Sequence, residues 1–213
     1  SLNRLAADWQ PREVAVPITD GTGPGTAAAE TEIEFDWAGN TARHVGSIVH
    51  RYLERIANEG LAQWPSTRLD DLHDRLRLGL AQLGVVTAEL PRATDKALRA
   101  LRSTLNDDKG RWILDRHPQA RCEWPLTVLD GEPQRYVIDR SFIDDRGVRW
   151  IIDYKTGDHL DSDITRFLDD EQARYRAQLE NYARIVRELE DRPIRLALYF
   201  PLFADWRAWD YPN

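Results

Sequence analysis

The chain has 213 residues, a net charge of −7 and 42% hydrophobic residues, which predicts one globular domain, with room for an appended helical subdomain. A freestanding DNA binder usually carries a basic surface, so the acidic balance argues against autonomous tight DNA binding. The single cysteine, Cys122, excludes an internal disulfide and a multi-cysteine zinc or iron–sulfur site. No apolar run reaches the ~20 residues of a membrane helix and no signal peptide is visible, so we expect a cytoplasmic protein without membrane contacts.

Residues 1–39 are predicted to form an extended connector, because they are rich in Pro, Gly, Ala and Glu and lack periodicity. The sequence begins at Ser1 and contains no methionine, so we expect a fragment of a longer protein. Residues 40–213 are predicted to form one domain. Its helical N-terminal part is expected over about 40–116 and its sheet core over about 120–210.

Apolar residues at helical spacing predict three helices in the N-terminal part. These helices are expected over 42–64, 68–83 and 94–105, followed by a turn over 107–110 and a short helix over 112–115. Gly84 is expected to end the second helix. The second helix is predicted to bury one apolar face, formed by Leu69, Leu72, Leu76 and Leu80.

The pattern then changes to short β-rich runs that are separated by turn residues. Strands are predicted over 122–129, 135–143 and 148–154 as an antiparallel meander, then a helix over 174–189 and strands over 195–201 and 206–211. The apolar run 150–152 lacks alternation, which predicts a central strand buried on both faces. This order of elements predicts an α/β (α+β) domain, with a mixed central sheet flanked by helices.

Two acidic residues and a lysine form the candidate active site. A strand is expected to end near Asp139, and the next one carries Asp153 and Lys155 two residues apart, hence on one face. Neighbouring carboxylates repel each other unless a cation neutralises them, and Mg²⁺ is the natural one. A lysine beside it can hold or help deprotonate an attacking water, which predicts metal-assisted hydrolysis of a phosphodiester. The alternative is a set of solvated ion pairs worth under ~1 kcal/mol.

Lysine is rare in this chain, since only Lys96, Lys109 and Lys155 among the 29 basic residues are lysines. Arginine is a wide, permanently charged fork, whereas lysine is a compact charge whose pKa can shift. Lys96 and Lys109 stand in contexts typical of a surface. The comparison therefore points to Lys155 as the lysine with a special role.

At these residues the sequence resembles the PD-(D/E)XK nuclease superfamily, and within it the RecB-type exonuclease domain that ends AddA- and RecB-like helicase–nucleases. The resemblance covers about residues 35–206 and rests on four motifs in order. They are G-S-I-V-H-R-Y-L-E with His50, V-I-D-R with Asp139, I-I-D-Y-K-T-G with Asp153 and Lys155, and R-Y-R-A-Q-L-E-N-Y with Gln178 and Tyr182. The literal Pro-Asp pair is absent, and so are the four cysteines with which related branches hold an iron–sulfur cluster.

The resemblance implies a restriction-endonuclease-like fold and a set of site residues. His50, Asp139 and Asp153 would be the metal ligands, Lys155 the catalytic lysine, and Gln178 and Tyr182 would lie at the active site. The implied activity is a Mg²⁺-dependent DNA nuclease, with Mn²⁺ as a substitute, which we expect to be an exonuclease. Its implied partners are single-stranded DNA and a helicase motor, in the same or a partner chain, with a role in recombination and double-strand-break repair.

Several alternatives stay open at the level of sequence. The chain can instead be a catalytically silent DNA- or partner-binding module of the same fold, or a generic interaction domain. Glu123 is either an additional acid near the site or a surface residue, and Tyr182 is either a site residue or part of the core. Arg174 and Arg176 either meet DNA phosphate or are solvated on the flank of a helix.

Overall fold

The structure is a computed structural model, and it describes residues 26–130, 132–157 and 163–212. The chain divides into two compact units, residues 1–35 and residues 36–213. In the first unit only the helical backbone from residue 26 onward is described. The sheet, the hydrophobic cores and the candidate site all belong to the second unit.

The second unit is built on one mixed β-sheet with helices on both faces. The helices are α1 (Thr26–Glu59), α2 (Ser66–Asp70), α3 (His73–Gln82), α4 (Leu90–Asn106), α5 (Asp108–Leu114) and α6 (Ile164–Arg187), with a 3₁₀ turn at Leu61–Gln63. The strands are β1 (Arg121–Asp130), β2 (Glu132–Ile143), β3 (Arg149–Tyr154), β4 (Ile194–Phe200) and β5 (Asp205–Asp210). Their order in the sheet follows the chain, and only β3 and β4 pair in parallel. This architecture confirms the predicted fold class.

Strand β3 lies at the centre of the sheet, and all six of its residues are buried. Successive side chains of a strand point to opposite faces. Trp150 and Ile152 accordingly join the core shared with α1, α3, α4 and α5, while Ile151 joins the core shared with α6. A strand that is covered on both faces has no solvent-facing position, which is why its sequence lacks alternation. The prediction of a central, doubly buried strand is confirmed.

The helices of the N-terminal part differ from the predictions at their ends. Helix α1 begins at Thr26, inside the stretch 1–39 that was predicted as a connector; residues 1–25 lie outside the described residues. The helix predicted over 68–83 is interrupted at Asp71, but its apolar face is buried as predicted at Leu69, Leu72, Leu76 and Leu80. Gly84 follows α3 with a φ of +97°, a conformation that glycine adopts without strain and that ends a helix.

Two side-chain caps explain where α5 and α6 begin. Asp107 accepts the backbone N–H of Gly110, so the predicted turn over 107–110 is the start of a helix. Asp163 accepts the N–H of Arg166, and α6 therefore begins at Ile164 rather than near residue 174. Within the described part of the chain, no helix combines the length and the apolar character that crossing a bilayer requires.

Candidate metal centre

Strands β2 and β3 stop pairing at the level of the candidate site. Their paired positions run from Ile143 opposite Arg149 to Arg140 opposite Ile152. At the next level, the Asp139 carboxylate accepts the backbone N–H of Tyr154 at 2.8 Å. Asp139 therefore lies inside β2, and the prediction that its strand ends there is wrong. The side chain takes the place of a backbone acceptor, and the strand continues beyond it.

His50 faces Asp139 from helix α1. Its Nδ1 lies 3.5 Å from Asp139 Oδ2, and its Nε2 lies 3.0 Å from the Tyr154 carbonyl oxygen. A carbonyl can only accept, so Nε2 carries a proton in both charge states; Nδ1 donates to Asp139 when the ring is protonated and offers its lone pair to a cation when the ring is neutral. A backbone hydrogen bond of this kind fixes the tautomer and orientation of metal-binding histidines. Burial lowers the pKa of His50, but the hydrogen bond and charge of Asp139 outweigh burial and the pKa is raised.

Glu123 joins His50 and Asp139 to form a group of three side chains with metal-ligand chemistry. One nitrogen or oxygen atom from each of the three lies within 4.8 Å of the others. Glu123 stands in β1 between Cys122 and Trp124, whose partners Arg140 and Ile138 flank Asp139 in β2. The antiparallel register therefore sets the two acids opposite each other. We refer to His50, Glu123 and Asp139 as the acidic cluster.

Strain and repulsion in the acidic cluster fit a bound cation. Glu123 has a φ of +45°, which residues other than glycine rarely adopt, and such strain concentrates at functional sites. Burial and the negative charge of Asp139 raise the pKa of Glu123. A divalent cation would relieve this repulsion, and the donors offered are an imidazole nitrogen and carboxylate oxygens. The sequence alone left Glu123 undecided, because its position depends on the register of β1 against β2.

Asp153 lies beside the acidic cluster and faces Lys155. Lys155 Nζ is 2.8 Å from Asp153 Oδ2. Burial and repulsion by Asp139 raise the pKa of Asp153 to about 6, although Lys155 and His50 act in the opposite direction. Of the three predicted ligands, the structure groups His50 and Asp139 with Glu123, and it turns Asp153 toward the lysine. The raised pKa of Asp153 means that the nearby positive charges of Lys155 and His50 do not offset its burial and its repulsion by Asp139.

Gln178 and Tyr182 lie one turn apart on α6 and contact each other. Gln178 Nε2 donates to Tyr182 Oη at 2.7 Å. Tyr182 is buried and packs edge-on against Tyr136, whereas Gln178 is exposed. Burial raises the pKa of Tyr182, and the negative charges of Asp153 and Asp139 add to the increase. Tyr182 is therefore a core residue that also lies within electrostatic range of the site.

A cleft of ≈ 500 Å³ opens beside Lys155 between α1 and α6. Its lining includes the cations Arg43, Lys155 and Arg174, and the acid Glu171. This local excess of positive charge contrasts with the net charge of −7 for the whole chain. Both arginines pair with a glutamate on α6, Arg174 with Glu171 at 3.4 Å and Arg176 with Glu180 at 3.2 Å, but Arg176 does not line the cleft. Of the two arginines left open by the sequence, Arg174 lines the cleft beside Lys155 and Arg176 does not.

The other two lysines correct one expectation from the sequence. Lys96 is only 8% exposed, so its assignment to the surface was wrong. Lys109 Nζ lies over the rings of Trp112 and Trp206, at 4.8 and 4.2 Å from their centroids. Rarity alone therefore does not single out Lys155. Its contact with Asp153 beside the acidic cluster does.

Carboxylates, a histidine and a lysine at one level of a mixed sheet have the side-chain chemistry of a metal-dependent hydrolase site. The model of the PD-(D/E)XK nuclease superfamily matches residues 29–205, and the chain belongs to this superfamily. Its members are generally nucleases that hydrolyse phosphodiester bonds with divalent metals. No curated protein matched the chain in a search. The superfamily is thereby confirmed, and the RecB-type branch stays a prediction.

Proposed function

We propose that this chain is a metal-dependent DNA nuclease domain whose reaction takes place between the acidic cluster and Lys155. One observation carries the proposal: ligand atoms of His50, Glu123 and Asp139 converge within 4.8 Å, next to a buried carboxylate that is paired with a lysine. Structural ion pairs usually balance their charges, whereas this site holds an excess of carboxylates in a partly buried position. Perturbed acids beside a cleft are typical of catalytic sites.

Each residue has a role in this proposal. His50 Nδ1, Asp139 and Asp153 would hold a Mg²⁺ or Mn²⁺ ion, and Glu123 would offer a further carboxylate. When bound, the ion supplies a water of lowered pKa and neutralises charge on the phosphate. The Lys155 ammonium would donate to the oxygen of the attacking water, which orients that water, and would stabilise the charge that develops on the phosphate oxygens. Gln178 and Tyr182, on α6, position the substrate.

The cleft beside Lys155 supports single-stranded DNA as the substrate. At ≈ 500 Å³ its volume is in the range of pockets that hold one small molecule, which fits one strand better than a duplex. Arg43 and Arg174 line it, and arginine is well suited to bind phosphate. Exonuclease action, which meets a strand at its end, is the form of the activity that we propose.

We further propose that the domain works with a helicase motor, in the same or a partner chain, in recombination and double-strand-break repair. Support comes from the four motifs with His50, Asp139, Asp153–Lys155 and Gln178–Tyr182, which resemble those of RecB-type exonuclease domains. The net charge of −7 adds to this support. An acidic domain gains little affinity from DNA phosphates, so another domain would have to deliver the strand.

The test is a cleavage assay on single-stranded DNA with Mg²⁺ or Mn²⁺, which compares the unaltered chain with Lys155→Ala and Asp153→Ala. We expect metal-dependent cleavage that both substitutions abolish. Cleavage that survives both substitutions would contradict the proposed site. If the unaltered chain does not cleave, calorimetry with Mn²⁺ separates two cases. Binding indicates a domain that needs its motor, and lack of binding indicates a catalytically silent module of the same fold.

A further inference from the structure

The Lys155 ammonium has a second contact besides Asp153. Its Nζ lies 3.6 Å from the ring centroid of Tyr175, on helix α6. The Lys155 side chain is only 18% exposed, so this contact is partly shielded from water. An ammonium over the face of an aromatic ring is attracted by the ring quadrupole, and the attraction grows when the pair is desolvated. Lys155 is thus held between a carboxylate and a ring.

Tyr175 is anchored by packing against the hydrophobic core. It is half-buried and packs against the core shared by α6 and the sheet, and the Arg174 guanidinium carbon lies 5.3 Å from its ring centroid. A lysine, by contrast, carries its charge on a flexible four-carbon stem. A contact with a side chain on a packed helix therefore fixes the position of the Lys155 ammonium more precisely than the flexible lysine side chain does by itself.

Asp153 and Tyr175, the two contacts of Lys155, differ in whether they also interact with other charges. Asp153 is a proposed metal ligand and feels the repulsion of Asp139, so its negative charge has competing uses. The face of an aromatic ring neither titrates nor binds Mg²⁺ or Mn²⁺. Its attraction for the ammonium is therefore the same whether or not Asp153 is engaged elsewhere.

We propose that Tyr175 is a positioning residue, which holds the Lys155 ammonium beside the acidic cluster through the face of its ring. The effect on the rate rests on the proposed nuclease function, whereas the contact itself does not. The ring and not the hydroxyl carries the role, so Tyr175→Phe should preserve it. Tyr175→Leu keeps an apolar side chain in the core and removes the ring.

Nuclear magnetic resonance tests the contact without any activity. The chain has only three lysines, so biosynthetic labelling of the lysine ε-carbons gives three side-chain signals, and Lys155→Arg assigns one of them. A ring current shifts the ε-protons of Lys155 upfield. We expect this shift to persist in Tyr175→Phe and to vanish in Tyr175→Leu. Lys109, over Trp112 and Trp206, is the internal control and should stay unchanged.

Kinetics test the consequence on single-stranded DNA. Tyr175→Leu should lower kcat by roughly 10-fold, the effect of losing one shielded cation–ring contact, while the affinity for Mn²⁺ stays unchanged. Tyr175→Phe should restore kcat. An unshifted Lys155 signal in the unaltered chain, or a Leu variant with full kcat, would overturn the proposal. If the unaltered chain does not cleave DNA, the lysine signals still decide whether the contact exists.

Discussion

The central strand β3 carries one ion pair near each of its ends, and the two pairs differ in how their charges are satisfied. At its start, Arg149 is only 2% exposed, and its guanidinium donates to both carboxylate oxygens of Glu190, at 2.6 and 2.9 Å. At its other end, Lys155 contacts one oxygen of Asp153, which is also close to the negative charge of Asp139.

The pKa values of the two acids move in opposite directions. The hydrogen bond and charge of Arg149 lower the pKa of Glu190, although burial acts against them. Burial and Asp139 raise the pKa of Asp153 to about 6. The first pair favours its charged form and supports the fold, whereas the second end penalises negative charge. A cation bound near Asp153 would remove the unfavourable energy of its negative charge. The opposite pKa directions of Glu190 and Asp153 therefore distinguish a structural ion pair from one in a candidate functional site.

The largest effect is expected from Asp139→Asn, at the functional end. Asparagine keeps an oxygen that can accept the N–H of Tyr154, so the strand geometry should survive, but one negative charge is lost. We expect Mn²⁺ affinity to fall at least ~100-fold and cleavage at least ~1,000-fold. Calorimetry and the cleavage assay measure the two losses. Unaltered Mn²⁺ affinity would show that Asp139 is not a ligand.

Arg149→Met, at the structural end of β3, should lower stability and leave metal binding unchanged. Methionine keeps much of the volume but leaves Glu190 only its longer contact with Arg192 Nε, at 3.8 Å, which should lower the free energy of unfolding by about 3 kcal/mol. The affinity of the folded protein for Mn²⁺ should not change. Urea unfolding measures the loss, and the exposed Arg146→Met is the matched control, expected within about 0.5 kcal/mol of the unaltered chain. If Arg149→Met and Arg146→Met are equally stable, the pair of Arg149 with Glu190 does not stabilise the fold, and the proposed difference between the two ends of β3 is wrong.

Asp153→Asn should stabilise the metal-free protein while it abolishes cleavage. A carboxyl whose folded pKa is raised costs stability as the pH rises from its ordinary value of 3.8 to about 6, and the cost is complete above that. The asparagine variant avoids this cost, so we expect its free energy of unfolding to be higher by up to about 3 kcal/mol at pH 7.5 with a chelator. Urea unfolding between pH 4 and 8 checks the sign. A less stable variant would mean that Lys155 fully satisfies Asp153.

The smallest effect is expected for Glu190→Gln, and it depends on pH in the opposite sense. Because the folded pKa of Glu190 is lowered, its stabilisation is present above its ordinary pKa of 4.5 and is lost as the pH falls through the folded value. Because glutamine keeps an oxygen that can accept from Arg149, and Gln119 Oε1 still accepts from its Nη2 at 2.6 Å, the glutamine variant should be only about 1 kcal/mol less stable at pH 7. The difference should shrink in acid. Thermal unfolding at pH 7 and at pH 3 compares the two proteins, and a constant difference would contradict the lowered pKa.

Local signals in the sequence were sufficient for most of the fold. Turn residues around 130–133 and 144–147 separate β1, β2 and β3, and the unbroken apolar run in β3 predicted its central place. The first half of α6 was missed because it is rich in charges and has little apolar periodicity. It is supported by the Asp163 cap and by polar pairs such as Arg166 with Asp170, at 3.9 Å.

The position of a site residue could be predicted where spacing along one strand determines which face its side chain is on, as for Asp153 and Lys155. Glu123 was not, because only the register between β1 and β2 sets it opposite Asp139, and no sequence pattern reveals the positive φ of a glutamate. The pair of Arg149 with Glu190 was missed for a similar reason. The two residues are 41 positions apart and meet only when α6 and β4 have been added to the sheet.

The parallel pairing of β3 with β4 gives the site an order of assembly during synthesis. The acidic cluster and β3 are complete in sequence by Tyr154, and short hairpin connections can join β1, β2 and β3 soon after they leave the ribosome. A parallel partner needs a long crossover, so β4 must wait for the whole of α6, and such long-range pairing is slow. Until then β3 is an edge strand whose apolar residues are open to association with other chains. The acids are thus in place first, and the ring of Tyr175 beside Lys155 is added only with α6, shortly before β4 covers the free edge of β3.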